Sequence, residues 1–301
     1  MKLIQPSVEI IPQEPGLEGI YKQIELGGRC CYNSYDKICE GSAKKFIDTV
    51  LIPREHFSPC AHGTVYLTIT CTTNNYYNII DKYRNNFWSK VIEIVDKDDR
   101  NAQGLPYSWY YITTNYRVII ENHWENDLDY LCEPTKFHAK RVTTRWFTNI
   151  GVSREANRHA TILSICEQST RYCNYSKDKF DNQIKISEPL FLDKCTKSYD
   201  STTIIQSYLK DFKYDDATPI DYWIAACEFA EYCYMGMINS GATPQEARSV
   251  LPLSTQTEVY YTAFIDDWKH FFNLRCSEAA HPDIKFLAKS LEQQFKEINL
   301  I

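Results

Sequence analysis

Apolar residues recur at helical spacing in several stretches of the chain. Ile20 and Ile24 lie one turn apart, as do Phe46 and Val50, which is the spacing that places side chains on one face of a helix. Patterns of this kind, some with Pro, Gly or acidic residues at their ends, predict helices over 17–29, 42–52, 76–95, 219–239, 266–275 and from residue 282 onward. The stretch 76–95 is the least periodic of these.

Polar and apolar residues alternate in other stretches, with the period of a half-buried strand. This pattern predicts strands over 63–72, 109–120, 140–149 and 256–263. Strands and helices intermix without a regular β–α–β rhythm, so the predicted fold class is α+β, with a central, mostly antiparallel sheet flanked by helices. No repeat or Pro/Gly/Ser-rich linker divides the sequence, and we expect residues 1–301 to form a single domain with insertions.

Two short helices are predicted from the chemistry of their first turns. Ser153 is expected to cap a helix that carries Arg154 and Arg158 one turn apart. Residues 243–246, Thr-Pro-Gln-Glu, have the sequence of a capping box with Pro at the first helical position. That helix is expected to end before Pro252.

Composition excludes several classes of protein. Hydrophobic residues make up 44% and charged residues 24% of the 301 residues, as in globular rather than disordered chains. The net charge of −6 argues against binding nucleic acid in bulk, which needs phosphate neutralisation. The sequence contains neither a membrane-spanning apolar run nor the apolar core of a signal peptide at its start, so we expect a cytoplasmic protein that binds no membrane.

The 12 cysteines contain no C-x-x-C pair. Zinc-ribbon and thioredoxin-like sites therefore lack their usual spacing, and a disulfide scaffold is not expected in a cytoplasmic chain of this size. Free cysteines pack as small buried hydrophobic residues. We expect most of these thiols to be structural and no metal site to be present.

Two neighbouring segments carry chemistry. Residues 153–159 place two arginines and His159 near a short helix, although a solvated helix face would have the same composition. In the segment 164–172, an extended chain would point Glu167, Ser169 and Arg171 to one face. A hydroxyl beside a guanidinium suits a phosphate, whereas the alternative is an edge strand with a polar face.

Three further segments carry polar residues among apolar ones. Arg248 lies in an otherwise apolar turn and would need either an internal carboxylate or a ligand. His270 and Arg275 lie in a mostly apolar helix, where Arg275 could simply interact with the helix dipole. His56 and His62 precede a strand, but no third ligand at metal-binding spacing accompanies them. No G-x-G-x-x-G or P-loop motif occurs.

Together these segments resemble the flavin-dependent thymidylate synthases. That family is marked by R-H-R-x-x-S-x-N-E-x-S-x-R-Y, whose second half is matched here by Ser164, Glu167, Ser169, Arg171 and Tyr172. Three other family motifs occur in the expected order: H-x-[ST]-P-x-x-H at 56–62, A-R-x-V-L-P-x at 247–253 and N-L-R at 273–275. The resemblance extends over residues 17–300, and 140–185 and 240–285 contribute most to it.

The first half of the long motif departs from the family. Its R-H-R is Arg158-His159-Ala160 here, and its Asn is Cys166. The chain is one residue longer before Ser164, so an alternative register would place His159, Ala160 and Thr161 in those positions. We prefer the first register because Arg154 and Glu155 then also match. Loss of one guanidinium that made a charged hydrogen bond would cost about 1.5–3 kcal/mol, which bears on flavin binding.

The resemblance implies the conversion of dUMP to dTMP, with methylenetetrahydrofolate as carbon donor and NADPH as reductant through FAD. It implies that dUMP is bound by Glu155, Arg158, Glu167, Gln168, Ser169, Arg171, Arg248 and Arg275. It implies that FAD is contacted by His56, Ser58, Arg158, His159, Glu167 and His270. The implied catalytic residues are Arg275, which would activate the uracil ring electrostatically, and Ser169, which would hold the phosphate.

The family forms homotetramers with shared active sites, in which Glu155 and Arg158 would come from a neighbouring subunit. No enzyme cysteine attacks the uracil in this family. Two alternatives stay open. The first is a non-catalytic pyrimidine-nucleotide-binding relative with a weakened flavin site, which Ala160 favours. The second is a cysteine-dependent nucleotide enzyme, for which Cys166 would be the best candidate.

Overall fold

The computed structural model of the chain describes residues 1–71, 77–100, 106–159, 164–190 and 217–301. In these ranges the α-helices are α1 Gly16–Tyr32, α2 Ser42–Phe46, α3 Tyr77–Arg84, α4 Tyr116–Glu121, α5 Ile150–Ala156, α6 Pro219–Asn239, α7 Pro244–Ala247, α8 Ile265–Arg275 and α9 Pro282–Glu297. The strands are β1 Lys2–Ile4, β2 Ser7–Ile11, β3 Thr64–Cys71, β4 Lys90–Arg100, β5 Pro106–Asn115, β6 Arg141–Asn149, β7 Ser164–Glu167, β8 Lys185–Ser187 and β9 Gln256–Phe264.

The strands form sheets of four, three and two members. The four-stranded sheet is antiparallel in the order β2-β6-β9-β7, and the three-stranded sheet is antiparallel in the order β3-β5-β4. The two-stranded sheet pairs β1 with β8 in parallel. The predicted α+β class with mostly antiparallel pairing is therefore confirmed, although the strands are divided among separate sheets.

The four-stranded sheet packs against α8 and α9 through aromatic side chains. Trp146 on β6 and Trp268 on α8 are fully buried. Their rings lie 5.8 Å and 5.6 Å from that of Phe271 in edge-to-face contact, and the ring of Phe295 on α9 lies 5.8 Å from that of Trp268. Offset aromatic contacts of this kind add to the free energy gained by burial. They fix α8 against β6 and β9, and so fix where α8 ends.

The predicted helix over 76–95 is wrong in its second half. α3 ends at Arg84, and the side chain of Asn86 accepts hydrogen bonds from the Trp88 amide and the Ser89 hydroxyl in the turn that follows. β4 then begins, with Val91 opposite Ile112 of β5. Cross-strand pairing of apolar β-branched residues outweighs the weak helical pattern here.

The predicted strand over 109–120 is wrong in its second half. β5 ends at Asn115, whose side chain accepts a hydrogen bond from the Val118 amide at 3.1 Å and caps α4. Asn149 ends β6 in the same way and caps α5 by accepting from the Val152 amide at 2.8 Å. The prediction that Ser153 caps this helix is therefore wrong: Asn149 is the capping residue, and Ser153 lies inside the helix.

The predicted helix over 42–52 continues from α2 as a π-helical turn over Ile47–Leu51. α5 ends at Ala156, so Arg158 lies beyond the helix predicted to carry it. The other predicted helices and strands are confirmed to within a few residues.

The capping box predicted at residues 243–246 is confirmed. Thr243 and Glu246 satisfy each other's backbone amides at the start of α7. The helix continues as a single 3₁₀ turn over Arg248–Val250 and stops before Pro252. At α6, Thr218 and Asp221 form the equivalent box, with Pro219 at the first helical position. None of the helices in the described ranges is both long and apolar enough to cross a bilayer.

We expect Trp268→Ala to lower the free energy of unfolding by about 3–5 kcal/mol, because it removes a fully buried indole and leaves a cavity. Urea denaturation followed by circular dichroism measures the change. Leu274→Ala on the same helix is the matched control. Its side chain is half-exposed, so we expect a change within about 0.5 kcal/mol. Equal effects of the two substitutions would contradict the packing described here.

Candidate active site

Arg275, at the end of α8, is held by Glu155 on α5 and by His159, which follows the end of α5. Its Nε donates to Nε2 of His159 at 2.7 Å, its Nη1 to the Glu155 carboxylate at 3.0 Å and its Nη2 to the Glu155 carbonyl at 2.8 Å. A guanidinium has five N–H donors, so three bonds fix its plane and still leave it capacity to bind a ligand. The helix-dipole alternative is therefore insufficient to describe this residue.

His159 is buried and neutral in this arrangement. Burial, together with the nearby Arg275 guanidinium and the His270 ring, lowers the pKa of His159 to about 4. Its Nε2 accepts from Arg275, so the ring proton lies on Nδ1. His270 is exposed, and its ring centroid lies 6.5 Å from that of His159. The protein thus holds Arg275 with one carboxylate and one uncharged imidazole.

The Glu167 carboxylate, at the end of β7, is held by two hydroxyl groups. Its Oε1 accepts from Ser153 at 2.7 Å and from Thr257 at 3.0 Å. Ser153 is buried in α5 and Thr257 is buried on β9. The sequence predicts Ser153 as a helix cap and predicts no site role for Thr257. Strand alternation at 256–263 was the only sequence signal for Thr257.

Residues 168–172 leave β7 as a turn and not as an extended strand. The amides of Tyr172 and Cys173 donate to the Ser169 carbonyl at 3.2 Å and 2.9 Å, and the Ser169 hydroxyl accepts from the Arg171 amide at 3.3 Å. The prediction that Glu167, Ser169 and Arg171 share one face of a strand is therefore wrong beyond Glu167. We call residues 168–172 the 168–172 turn.

The 168–172 turn is anchored to two neighbouring elements. The Ser169 amide donates to the carbonyl of Cys31 on α1 at 3.1 Å, and the Gln168 amide donates to the carbonyl of Glu258 on β9 at 2.8 Å. These bonds fix the backbone at the start of the turn. The Arg171 side chain, by contrast, is exposed, with its guanidinium 5.6 Å from the Tyr172 ring centre.

Arg248 lies beside this turn. Its Nη1 is 3.4 Å from the Thr170 hydroxyl. Arg248 is exposed, and within the described parts of the chain neither Arg248 nor Arg171 forms an ion pair with a carboxylate. The expectation that Arg248 is partly buried is therefore wrong. Of its two possible partners, an internal carboxylate is not found among the described residues, which leaves the ligand. Two exposed cations and a hydroxyl-bearing turn are suited to an anionic group.

His56 approaches the same turn through aromatic residues. Its Nδ1 forms a hydrogen bond of 2.7 Å with the Tyr32 hydroxyl, and the Tyr32 ring lies 5.3 Å from that of Tyr172. Ser58 is exposed near the start of the short 3₁₀ turn that follows His56. His62 is fully buried, bonded through Nδ1 to Thr262 at 2.8 Å, and its pKa is lowered to about 3 by burial. It is a core residue.

The predicted site residues thus fall into two groups joined through Glu167. One contains Glu155, His159, His270 and Arg275, with the exposed Arg158 beside it; the other contains Gln168, Ser169, Arg171 and Arg248, with His56 beside it. Ser153 links them, because it shares α5 with Glu155 and bonds to Glu167. Ala160 and Thr161, on which the register of the R-H-R segment depends, lie outside the described residues.

A cleft of about 510 Å³ adjoins the first group. Glu155 is the one sequence-predicted site residue that lines it, and the other walls include Arg154, Trp223, Leu253 and His281. Arg154 and Leu253 belong to segments that the sequence singles out, whereas Trp223 on α6 and His281, which caps α9, belong to no motif. The described residues contain no group of three or more His, Cys, Asp or Glu side chains that could hold a metal ion.

Cys166 is held as the neutral thiol and is shielded from a substrate by burial. It is buried, and both its interaction with the Cys31 thiol and its burial raise its pKa well above the ordinary value for cysteine. Since the thiolate is the reactive form, the hypothesis of a cysteine-dependent enzyme based on Cys166 finds no support in this environment.

The candidate site thus combines an α+β fold with two polar groups, each of which contains arginine. A model of the family described as "Thymidylate synthase complementing protein" matches residues 135–299, more than half of the chain. The chain therefore belongs to this family, and the resemblance to the flavin-dependent thymidylate synthases is confirmed. The match includes both polar groups, but not His56 or Ser58.

Curated relatives named flavin-dependent thymidylate synthase are similar to parts of the chain. The protein from Pyrococcus furiosus is 28% identical over 182 residues, which are 59% of this chain and 63% of the relative. The protein from Geobacter sulfurreducens is 27% identical over 152 residues, which are 49% of this chain and 54% of the relative. The protein from Synechocystis is 30% identical over 71 residues, which are 24% of this chain and 33% of the relative. The chain thus spans between a third and two thirds of the length of these relatives.

One solved structure is similar at low identity. It is the UMP/dUMP methylase PolB from Streptomyces cacaoi bound with 5-Br UMP, which is 15% identical to this chain. The comparison covers 99% of this chain and 92% of that one, with a TM-score of 0.43.

We expect His159 to stay neutral well below the ordinary titration range of histidine, with a pKa of about 4. The contribution of the neutral His159 ring to the free energy of unfolding is therefore fully present above the unfolded-state pKa of 6.5. It is lost as the pH falls towards about 4, because the unfolded chain takes up the proton first. Imidazole ¹⁵N shifts followed by NMR measure the titration. Arg275→Gln should raise the pKa, because it removes a nearby cation; an unchanged pKa would contradict the electrostatic account.

Proposed function

We propose that this protein is a flavin-dependent thymidylate synthase, which methylates dUMP to dTMP with methylenetetrahydrofolate as carbon donor and NADPH as reductant through FAD. The observation that carries the proposal is the contact between Arg248 and Thr170. It unites the A-R-x-V-L-P motif and the S-x-R-Y motif, which are far apart in the sequence. Family membership supports the same function.

The 168–172 turn and Arg248 would bind the dUMP phosphate. Ser169 offers a hydroxyl, and Arg171 and Arg248 offer planar sets of N–H donors that match phosphate oxygens. Because Ser169 and Gln168 are fixed through their amides to α1 and β9, the backbone is ordered before the ligand arrives. Only the exposed arginine side chains must then lose freedom on binding.

Arg275 would act on the uracil ring. A guanidinium at the ring edge stabilises negative charge that develops on N3 and O4, and so activates the ring for methylation. Glu155 and His159 hold its plane. Because His159 is neutral, it orients Arg275 without cancelling its charge, whereas the Glu155 carboxylate cancels part of it. Glu155 and Arg158 would complete the nucleotide site.

The donor set on the chain fits FAD. Arg158, Ser58 and His270 are exposed and offer N–H and O–H groups to a nucleotide diphosphate. His56, His159 and Glu167 are partly or fully covered, and would serve nearer the ring system. When bound, FAD would supply the hydride chemistry with NADPH. The chain's own residues would bind and orient the two nucleotides.

We propose that the protein acts as a homotetramer in which the two polar groups of one site come from different subunits. This would let Glu155 and Arg158 of one chain meet the 168–172 turn of another. α6 offers surface for such contacts. Phe229 and Tyr232 are 56% and 68% exposed, and their rings stack 6.3 Å apart. Exposed aromatic surface is enriched at subunit contacts.

The test is the absorption spectrum of the purified protein, before and after anaerobic addition of NADPH with dUMP. We expect a flavin spectrum that bleaches on reduction, and dTMP formation once methylenetetrahydrofolate is added. A protein that stays colourless after FAD is added but binds dUMP would establish the non-catalytic relative, which the Ala160 departure favours. A protein that binds neither would overturn both.

We expect Arg248→Ala to weaken dUMP binding by about ten- to a hundredfold, because one charged hydrogen bond is lost. Isothermal titration calorimetry measures this. Deoxyuridine, which lacks the phosphate, should bind the variant and the native protein equally. Arg117→Ala is the matched control, since Arg117 is a partly exposed arginine paired with Glu121 on α4. An equal loss of affinity for deoxyuridine would show that Arg248 does not bind the phosphate.

A further inference from the structure

We propose that Cys31 and Cys166 form an oxidation-sensitive pair that a peroxide converts into a disulfide beneath the 168–172 turn. The effect of this disulfide on dUMP rests on the proposed function, whereas the formation of the disulfide does not. The inference depends on where the two cysteines lie and on how the turn is attached to one of them.

The two thiols come from different elements that meet at the turn. Cys31 is in the last turn of α1, and Cys166 is on β7, one residue before Glu167. The Cys31 side chain packs against a small buried cluster of Cys30, Cys166 and Tyr260, and each of the Cys31 and Cys166 thiols shifts the pKa of the other. The Cys31 carbonyl accepts from the Ser169 amide at 3.1 Å. Cys31 therefore lies beside both Cys166 and Ser169.

Cys31 differs from the neighbouring cysteines in accessibility and in acidity. It is partly exposed, whereas Cys30, Cys166 and Cys173 are buried. The interaction with the Cys166 thiol lowers the pKa of Cys31, whereas burial raises the pKa values of Cys30 and Cys173. Oxidants attack accessible thiolates first. Cys31 is therefore the thiol that a small oxidant would reach and attack.

The Cys30 thiol is directed at backbone carbonyl groups. It donates to the Glu258 carbonyl on β9 at 3.3 Å and to the Cys166 carbonyl on β7 at 3.7 Å. Cys30 shares the buried cluster with Cys166 but, unlike Cys31, is fully buried. This makes Cys30 a matched control for position in the sequence and for proximity to Cys166.

The chemistry balances with hydrogen peroxide as the oxidant. The Cys31 thiolate attacks one peroxide oxygen, the O–O bond breaks, and the hydroxide that leaves takes up the proton released when Cys31 ionised, which gives a sulfenic acid and water. The Cys166 sulfur, packed beside Cys31, then attacks the sulfenic sulfur while its proton passes to the sulfenic oxygen. The S–S bond forms, the S–O bond breaks, and a second water leaves. Two thiols are oxidised and one peroxide is reduced.

A disulfide would act directly on the turn. It would draw the end of α1 and β7 together at the point where the Ser169 amide meets the Cys31 carbonyl. We expect the hydrogen bond at Ser169 to be displaced, and Ser169 and Arg171 to lose their present positions. The loss of one charged hydrogen bond to a phosphate corresponds to a fall in affinity of about tenfold or more.

The experiment begins with reduced, full-length protein treated with hydrogen peroxide and digested without reductant. We expect tandem mass spectrometry to find Cys31 linked to Cys166, and dithiothreitol to reverse the link. Cys31→Ser and Cys166→Ser should abolish it, whereas Cys30→Ser should retain it. A link through Cys30, or oxidation confined to the exposed Cys39 while Cys31 and Cys166 stay reduced, would overturn the proposal.

Two further readouts separate this inference from the proposed function. Amide hydrogen exchange at Ser169 should speed up in the oxidised protein, whatever the ligand. Calorimetry with dUMP should show about tenfold weaker binding after oxidation, restored by dithiothreitol. If the reduced protein binds no dUMP, the proposed function fails while the mapped disulfide stands. A mapped disulfide with unchanged exchange at Ser169 would overturn the link to the turn.

Discussion

The pairing of β9 between β6 and β7 is the constraint on which the site depends. Both pairings are antiparallel, so β6 and β7 run in the same direction and end at the same edge of the sheet. α5 begins where β6 ends, and the 168–172 turn begins where β7 ends. α8 starts at the opposite edge, after β9, and its 11 residues return about 16 Å along the sheet. Arg275 therefore reaches Glu155 and His159 although their elements begin at opposite edges.

The two groups of cations are built differently. Arg275 is fixed by a carboxylate, a carbonyl and a neutral imidazole, which suits a role that depends on direction. Arg171 and Arg248 are exposed and held loosely, which suits the neutralisation of a multiply charged group whose orientation is flexible. The buried carboxylate of Glu258, paired with Arg145 at 2.6 Å, lies behind the turn and supports the strand that anchors Gln168. The difference between the two groups of cations therefore follows from where the elements end: α8 ends beside α5 and so fixes Arg275, whereas the turn after β7 leaves Arg171 exposed.

Periodicity and capping chemistry were sufficient for the longer helices and for β3, β5, β6 and β9, because these are local patterns. β1, β2 and β8 were not predicted, because strands of three to five residues are too short to show a period. The errors lie where one side chain or one pairing overrides a pattern: Asn115 and Asn149 each end a strand by capping a helix, and Val91 pairs with Ile112 on the next strand of the chain. Motif spacing identified Arg275, Glu155, Ser169 and Arg248 but not their geometry. The bonds of Ser153 and Thr257 to Glu167 require the tertiary structure, since neither residue belongs to a motif. The residue roles and the extent of the domain stay predictions.

The two hydroxyl groups that hold Glu167 have an entropic consequence. A free glutamate side chain has many rotamers, and ordering it costs up to about 2 kcal/mol. Ser153 and Thr257 restrict Glu167 in the folded chain, so the protein bears this loss when it folds and not when a ligand arrives. A ligand that meets Glu167 then finds a carboxylate already oriented, and its affinity is not reduced by the ordering of that side chain.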